Sequence, residues 1–220
     1  MRVDALWRYP VKSMLGERLQ RARLEHRGVH GDRLFAIRDT AGKLGSGKDS
    51  RRFRRVEGLR FVRATLDEHG RPRLTLPDGR IADLAALREF LGEPTLTLRP
   101  EQDIPHFDDQ PLHVVSRQAV DELAGELNEI TVDERRFRPN IVIDGADDGW
   151  LGRRARIGSA LIEFVKSTER CVMVNAAEPG IERSGEVLKT LTRNQDMQFG
   201  IYARVVEPGD IAIDDAVELL

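Results

Sequence analysis

Only one cysteine, Cys171, occurs in 220 residues. A single thiol cannot close an intrachain disulfide, so a disulfide-stapled secreted domain is excluded. Long apolar runs are missing too. No window approaches the roughly 20 apolar residues of a membrane-spanning helix, and the opening MRVDALWRYPVKS lacks the uninterrupted apolar stretch of a signal peptide. No Asn-x-Ser/Thr acceptor occurs. These absences predict a cytoplasmic chain in a reducing compartment, with no membrane anchor. There the lone cysteine is either an inert core residue or a functional thiolate. Charge of one sign is also lacking. The formal net charge is -2, which points to neither nucleic acid nor an anionic membrane. Most cations are arginine, whose planar fork pairs with phosphate.

Several catalytic patterns are absent. There is no Gly-x-Ser-x-Gly elbow. His26 and His30 are separated by Gly28 and followed by Gly31, so they do not form a helical zinc pair. Asp144–Gly149 does not match a calcium loop. Gly42-Lys43-Leu44-Gly45-Ser46-Gly47-Lys48 has Walker A spacing, but Asp49 stands where a P-loop needs Ser or Thr for magnesium. A carboxylate there would repel the phosphates. The stretch reads as a flexible loop that brings Lys48 to a ligand, and Arg51–Arg55 as a solvated loop.

What is present is mostly strand. Val3, Ala5 and Trp7 alternate with polar residues, as in a half-buried strand. Further strands are expected at Arg33–Arg38, Leu59–Leu66, Arg73–Leu76, Thr95–Leu98, Leu112–Val115, Asn140–Asp144, Ala160–Val165, Cys171–Val174 and Gly200–Val206, with a strand, turn and strand in the tail. Two helices are expected: Asp83–Leu91, stopped by Gly92, and one capped by Ser116 that sets Val120, Leu123 and Leu127 on one face. Many strands with few helices predict an α+β, mostly β, barrel-like fold. Gly92–Gln110, with three prolines, is the best boundary between two domains.

Three groups of residues could carry chemistry. Pro139 is expected to hold Arg138 extended, so that Arg138 and Asn140 share a face. The pair suits a phosphate or a heterocycle edge, or is simply a solvated strand entry. Cys171 sits at the edge of an apolar run and suits either packing or ligation of a soft metal. Strand geometry turns its neighbour Arg170 to the opposite face. Lys12, Ser13 and Arg33 are a usual anion-binding set.

In order, these segments resemble the MOSC family. Tyr9-Pro10-Val11-Lys12-Ser13 and Gly31-Asp32-Arg33 look like its N-terminal β-barrel module. Phe137-Arg138-Pro139-Asn140-Ile141-Val142-Ile143, Arg170-Cys171, Phe199-Gly200 and Gly209-Asp210-Ile211 look like the MOSC domain. The resemblance spans nearly the whole chain. It implies a β-barrel module over residues 1–100 and a MOSC β-barrel domain over 101–220, similar to the mitochondrial and bacterial amidoxime-reducing components. It implies a molybdenum cofactor, a Mo-molybdopterin, whose metal is bound by Cys171. Lys12, Ser13 and Arg33 would hold the cofactor phosphate, with Arg138 and Asn140 nearby. The implied activity is reduction of N-hydroxylated small molecules, with electrons from a separate redox protein.

Some positions depart from the family pattern. Asp109 and Gln110 replace hydroxyl residues, and Gln110 is carried as cofactor-binding. Glu169 replaces a serine and by alternation faces the side of Cys171. Glu169 and Asp147 are the candidate proton donors. No C-terminal ferredoxin domain is expected. The alternative is a cofactor carrier or sulfur-transfer module that turns over no small substrate.

Overall fold

The computed structural model describes residues 1–128 and 131–220. Strands dominate the regular structure of the described chain, with three α-helices: α1 (Leu84–Leu91), α2 (Arg117–Glu126) and α3 (Glu186–Gln195). The largest sheet has eight strands. Their spatial order is Val217–Leu219, Arg154–Ile157, Ala160–Glu169, Gln198–Glu207, Leu112–Ser116, Ile141–Ile143, Val3–Arg8 and Glu17–Leu19. Leu112–Ser116 and Ile141–Ile143 run parallel, and α2 lies in the crossover that a parallel pair requires.

The sheet curls until its far strands meet. Arg2 bridges Ala216, Val217 N–H donates to the Met1 carbonyl at 2.9 Å, and Asp214 N–H donates to the Val3 carbonyl at 2.9 Å. The enclosed core holds Leu6, Trp150, Ile162 and Phe164. In Gln198–Glu207 the residues Phe199, Ile201, Ala203 and Val205 are buried while their neighbours are more open, which is the period of two that a one-sided strand needs.

A second core, with Val11, Met14, Ile37, Leu59, Leu74 and Leu87, lies under the sheets formed by residues 35–100 and under α1. Asp83 caps α1 by accepting Ala86 N–H at 2.8 Å, and Gly92 ends it with φ 65°. A third core joins α2 and α3 through Phe137, Val187 and Leu191. Ser116 caps α2 by accepting Ala119 N–H at 3.0 Å. The halves are interlaced. Val3–Arg8 lies in a sheet completed by residues beyond 110, and Arg21–Glu25 pairs with Gly209–Ala212.

The expected elements need correction at several points, and the strands Glu17–Leu19, Arg21–Glu25 and Arg154–Ile157 were not among them. Cys171–Val174 is not a strand: the ladder ends where Glu169 faces Gln198, and Val172–Asn175 then coils into a 3-10 turn. Leu59–Phe61 is also a 3-10 turn, and only Arg63–Leu66 is extended. Helix α3 was not expected, because Gly185 offers it no side-chain cap and two threonines dilute its pattern. The glycine-rich stretch is not a free loop: Leu44–Ser46 pairs in parallel with Phe53–Arg55. No described helix is long and apolar enough to cross a membrane.

Candidate functional site

A cleft of about 340 Å³ opens between the N-terminal part of the chain and the ends of the large sheet. Eight residues singled out in the sequence line it: Lys12, Ser13, Arg33, Gln110, Arg138, Asn140, Glu169 and Cys171. Asp147 does not. It lies in the turn before Trp150, where burial raises its carboxyl above the usual range. Lys48 also reaches the cleft, as expected of its loop. Arg170, expected to face away, lines it as well, and so do Arg60, His113, Arg136 and Tyr202, none of which carried a sequence signal strong enough to single it out.

Backbone strain is concentrated here. Ser13, Arg33 and Arg138 have φ of 65°, 49° and 53°, a region where a non-glycine residue costs about 1–3 kcal/mol. Arg138 is therefore not extended. It is the left-handed cap that ends the turn Glu134–Phe137. Neighbouring hydrogen bonds hold Arg33 in place. Its N–H donates to the Tyr9 carbonyl at 2.7 Å, and its own carbonyl accepts from Arg27 at 3.1 Å and meets His106 Nδ1 at 3.1 Å. Its guanidinium bonds Asp32 and the Arg138 carbonyl. Asn140 is buried and already engaged: Oδ1 accepts His113 N–H at 3.1 Å and faces Arg33 at 3.5 Å, while Nδ2 donates to the Trp7 carbonyl at 3.4 Å. Its amide positions Arg33 and joins strands. It does not share an extended face with Arg138.

Cys171 is exposed at the start of the 3-10 turn, so the packing role is overturned. Arg60 pairs with buried Glu178 and donates to the Met173 carbonyl at 3.0 Å. Arg136 donates to the carbonyls of Val174 at 3.3 Å and Glu182 at 2.7 Å. The turn therefore takes its backbone partners from arginines instead of a strand. Lys48 Nζ stands 3.9 Å from Cys171 Sγ. Arg170 turns into the cleft, contrary to strand alternation, and donates to the Phe137 carbonyl at 2.9 Å.

Seven cations and two carboxylates, Asp108 and Glu169, line the cleft. Lys12 is buried, and burial pulls its ammonium down to about 8 despite Asp108 at 2.8 Å. Burial acts to raise the Asp108 carboxyl, but Lys12, Arg33 and Lys48 hold it at about 2. The Asp108 side chain is still 62% exposed, so water screens the pair and it adds little to stability. Burial, then Arg33, draws Arg138 down to about 10. Its guanidinium lies 4.2 Å from the centre of the Tyr9 ring, and Nη2 is buried without a partner. Arg170 is lowered by burial, and its Nε is likewise unpartnered. Burial, Arg170 and Arg33 push His113 well below the usual histidine range. A surplus of desolvated cations with an unfilled donor is chemistry that attracts an oxyanion.

Fold and site together define a mostly β protein whose curled sheet and N-terminal barrel module enclose a cationic cleft with a thiol at its edge. The chain belongs to the MOSC family: a MOSC domain matches residues 85–218 and a MOSC N-terminal beta barrel domain matches residues 1–109. It is similar to mitochondrial amidoxime-reducing component 1 of Homo sapiens, with 30% identity over 139 residues, 56% of this chain and 40% of that protein. It is similar to the molybdenum cofactor sulfurase of Oryza sativa subsp. japonica, with 33% identity over 91 residues, 36% of this chain and 10% of that protein. The matches therefore span less than half of either relative. The fold is like that of the YUAD protein from Bacillus subtilis, with TM-score 0.57 and 13% identity, covering 99% of this chain and 94% of the other.

Proposed function

We propose that this chain holds a molybdenum cofactor through Cys171 and reduces N-hydroxylated compounds such as amidoximes and hydroxylamines, using electrons from a separate redox protein. The observation that carries this reading is an exposed thiol beside a cleft whose cations outnumber its carboxylates, with Arg138 Nη2 buried and unpartnered. The donor set fits an anionic, phosphate-bearing group. Lys12, Ser13, Arg33 and Arg138 would hold the phosphate, with Gln110 beside them and Asn140 orienting Arg33. Cys171 Sγ would ligate the metal as a soft thiolate. Among the described residues no set of three His, Cys, Asp or Glu could hold a metal, which suits a metal that arrives with its other ligands attached. When bound, the cofactor supplies the two-electron redox chemistry that no side chain here provides.

The chain's own part is binding, orientation and proton supply. Reduction of one N–O bond takes two electrons and two protons and releases water. Glu169 ends its strand on the cleft wall and is the proton donor at the departing oxygen. Asp147, outside the cleft, is not retained in that role. Cys171→Ser replaces a soft ligand by oxygen with little change in volume and should lose molybdenum while melting like the wild type. Full loading of that variant would sink the ligand assignment. Loaded wild type with reduced viologen should consume benzamidoxime, and Cys171→Ala should not. Equal rates would discard the reductase. A loaded wild type inert toward amidoximes, hydroxylamines, N-oxides and sulfoxides would favour the carrier.

A further inference from the structure

A second cavity, of about 410 Å³, lies beside the thiol cleft. That is within the range of small-molecule pockets. Val56, Leu59 and Phe61 form one wall, and Val172, Met173 and Ala177 are on the other. The two cavities share Gly47, Arg60 and Met173. A Cβ on Gly47 would lie 2.3 Å from Met173 Cε, so the missing side chain makes room for the thioether between them. Methionine is unbranched and adapts its shape to what it packs against.

The lining is apolar and open. Phe61 is 39% exposed and Val172, next to the thiol, is 56% exposed. The Phe90 ring stands 3.3 Å from a Cβ built on Gly58, another residue of this cavity. Large apolar side chains left open together in a concavity mark a binding surface. The polar side chains here are largely committed. Arg60 is paired with Glu178, Arg55 with Glu57, and Asn175 Oδ1 accepts Leu188 N–H, while Arg183 has no side-chain partner among the described residues. The surface therefore offers contact area and few free hydrogen bonds. Its continuity with the thiol cleft points to one molecule spanning both.

We propose that this cavity holds the apolar body of the substrate whose reactive head reaches Cys171. The substrate class is an aryl or long-alkyl N-hydroxylated compound, not a small polar one. The identity of the head rests on the reductase reading above. The apolar occupant rests on the cavity itself.

Ala177 lies in this cavity and not in the thiol cleft, so Ala177→Trp should fill it without touching the cofactor residues. The probes are naphthalene-2-carboxamidoxime and acetamidoxime. By titration calorimetry on the full chain, with and without molybdenum, the naphthyl probe should bind wild type and bind Ala177→Trp at least tenfold more weakly. With loaded protein, KM for the naphthyl probe should rise about as much, and kcat/KM for acetamidoxime should not change. Phe61→Ser, on the opposite and exposed wall, should weaken the same probe and serves if the tryptophan variant fails to fold. The inference is overturned if wild type does not bind the naphthyl probe, if both variants bind it as wild type does, or if both probes lose activity equally. If neither probe turns over but the variants still weaken naphthyl binding, the reductase reading fails and the apolar site stands.

Discussion

Arg138→Met should make the cofactor-free protein more stable and a poorer anion binder. Burial and the neighbouring Arg33 hold the guanidinium down at about 10. Keeping it charged therefore costs the ligand-free fold on the order of 3 kcal/mol. The sign follows from proton binding. Below about 10 both folded and unfolded chains carry this charge, so the penalty is full at neutral pH and is relieved only as pH rises through that value. Methionine keeps the same left-handed backbone cost and fills similar space. It forfeits the cation's contact with the Tyr9 ring, worth ~0.5–2 kcal/mol. The net gain should be roughly 1–2 kcal/mol, or about 2–8 °C in melting temperature for a chain of this size. In the wild type, inorganic phosphate should raise the melting temperature by filling the unpartnered donor. In the variant it should bind at least about tenfold more weakly, as expected for a lost charge-assisted hydrogen bond. Scanning calorimetry with and without phosphate measures both effects. A variant that melts lower than wild type, while phosphate stabilises the two equally, would refute the reasoning.

Four further outcomes are expected. Sulfate keeps its charge across the relevant range, and its affinity should fall between about pH 7 and 9, because Lys12, held at about 8 by burial, must be protonated to bind it; Lys12→Met should flatten that profile in a calorimetric titration. The same lowered value means that the ligand-free fold gains stability as pH rises from about 8 toward the ordinary lysine range. Glu178→Gln leaves Arg60 charged and uncompensated beside the Cys171 turn, so urea unfolding should show a loss of about 3–5 kcal/mol; a loss under about 1 kcal/mol would mean that water solvates Arg60 there. Magnesium–ATP should show no saturable micromolar binding, since Asp49 stands at the magnesium position and its Oδ1 already accepts Arg55 N–H at 2.8 Å; saturation that Lys48→Ala removes and Arg33→Ala leaves intact would restore the P-loop reading.

Where local chemistry decides, the chain was legible. Asp83 and Ser116 announce their helices by capping, and the alternation around Phe199–Val205 marks a one-sided strand. The cleft residues were legible because Lys12, Arg33, Arg138 and Cys171 stand in an ordered combination of motifs. What stayed hidden depends on contacts between distant segments. Arg138 looked extended beside Pro139, but the turn before it needs a left-handed cap. Arg170 looked turned away because alternation was carried past the point where the ladder stops at Gln198. Arg60 and Arg136 carry no local signal, since each acts by bonding carbonyls of a turn more than thirty residues away. Asp147 shows the reverse error: an acidic residue in a plausible place along the chain, but outside the cleft in space.

The strand Val3–Arg8 is made long before most of the sheet it joins. It can pair at once with Glu17–Leu19, but its other neighbour is Ile141–Ile143, and Arg2 beside it bridges Ala216. During synthesis Leu6 and Val3 lack most of their core until the strands from Leu112 to Leu219 have been made. Residues 11–96 can meanwhile collapse on their own apolar cluster. Closing so long a loop is entropically slow. The waiting strand is a place where a chaperone is useful and where a nascent chain is prone to aggregate. The cleft is lined by residues from Lys12 to Tyr202, so it takes shape only when these distant segments dock, and the anion site forms with that step.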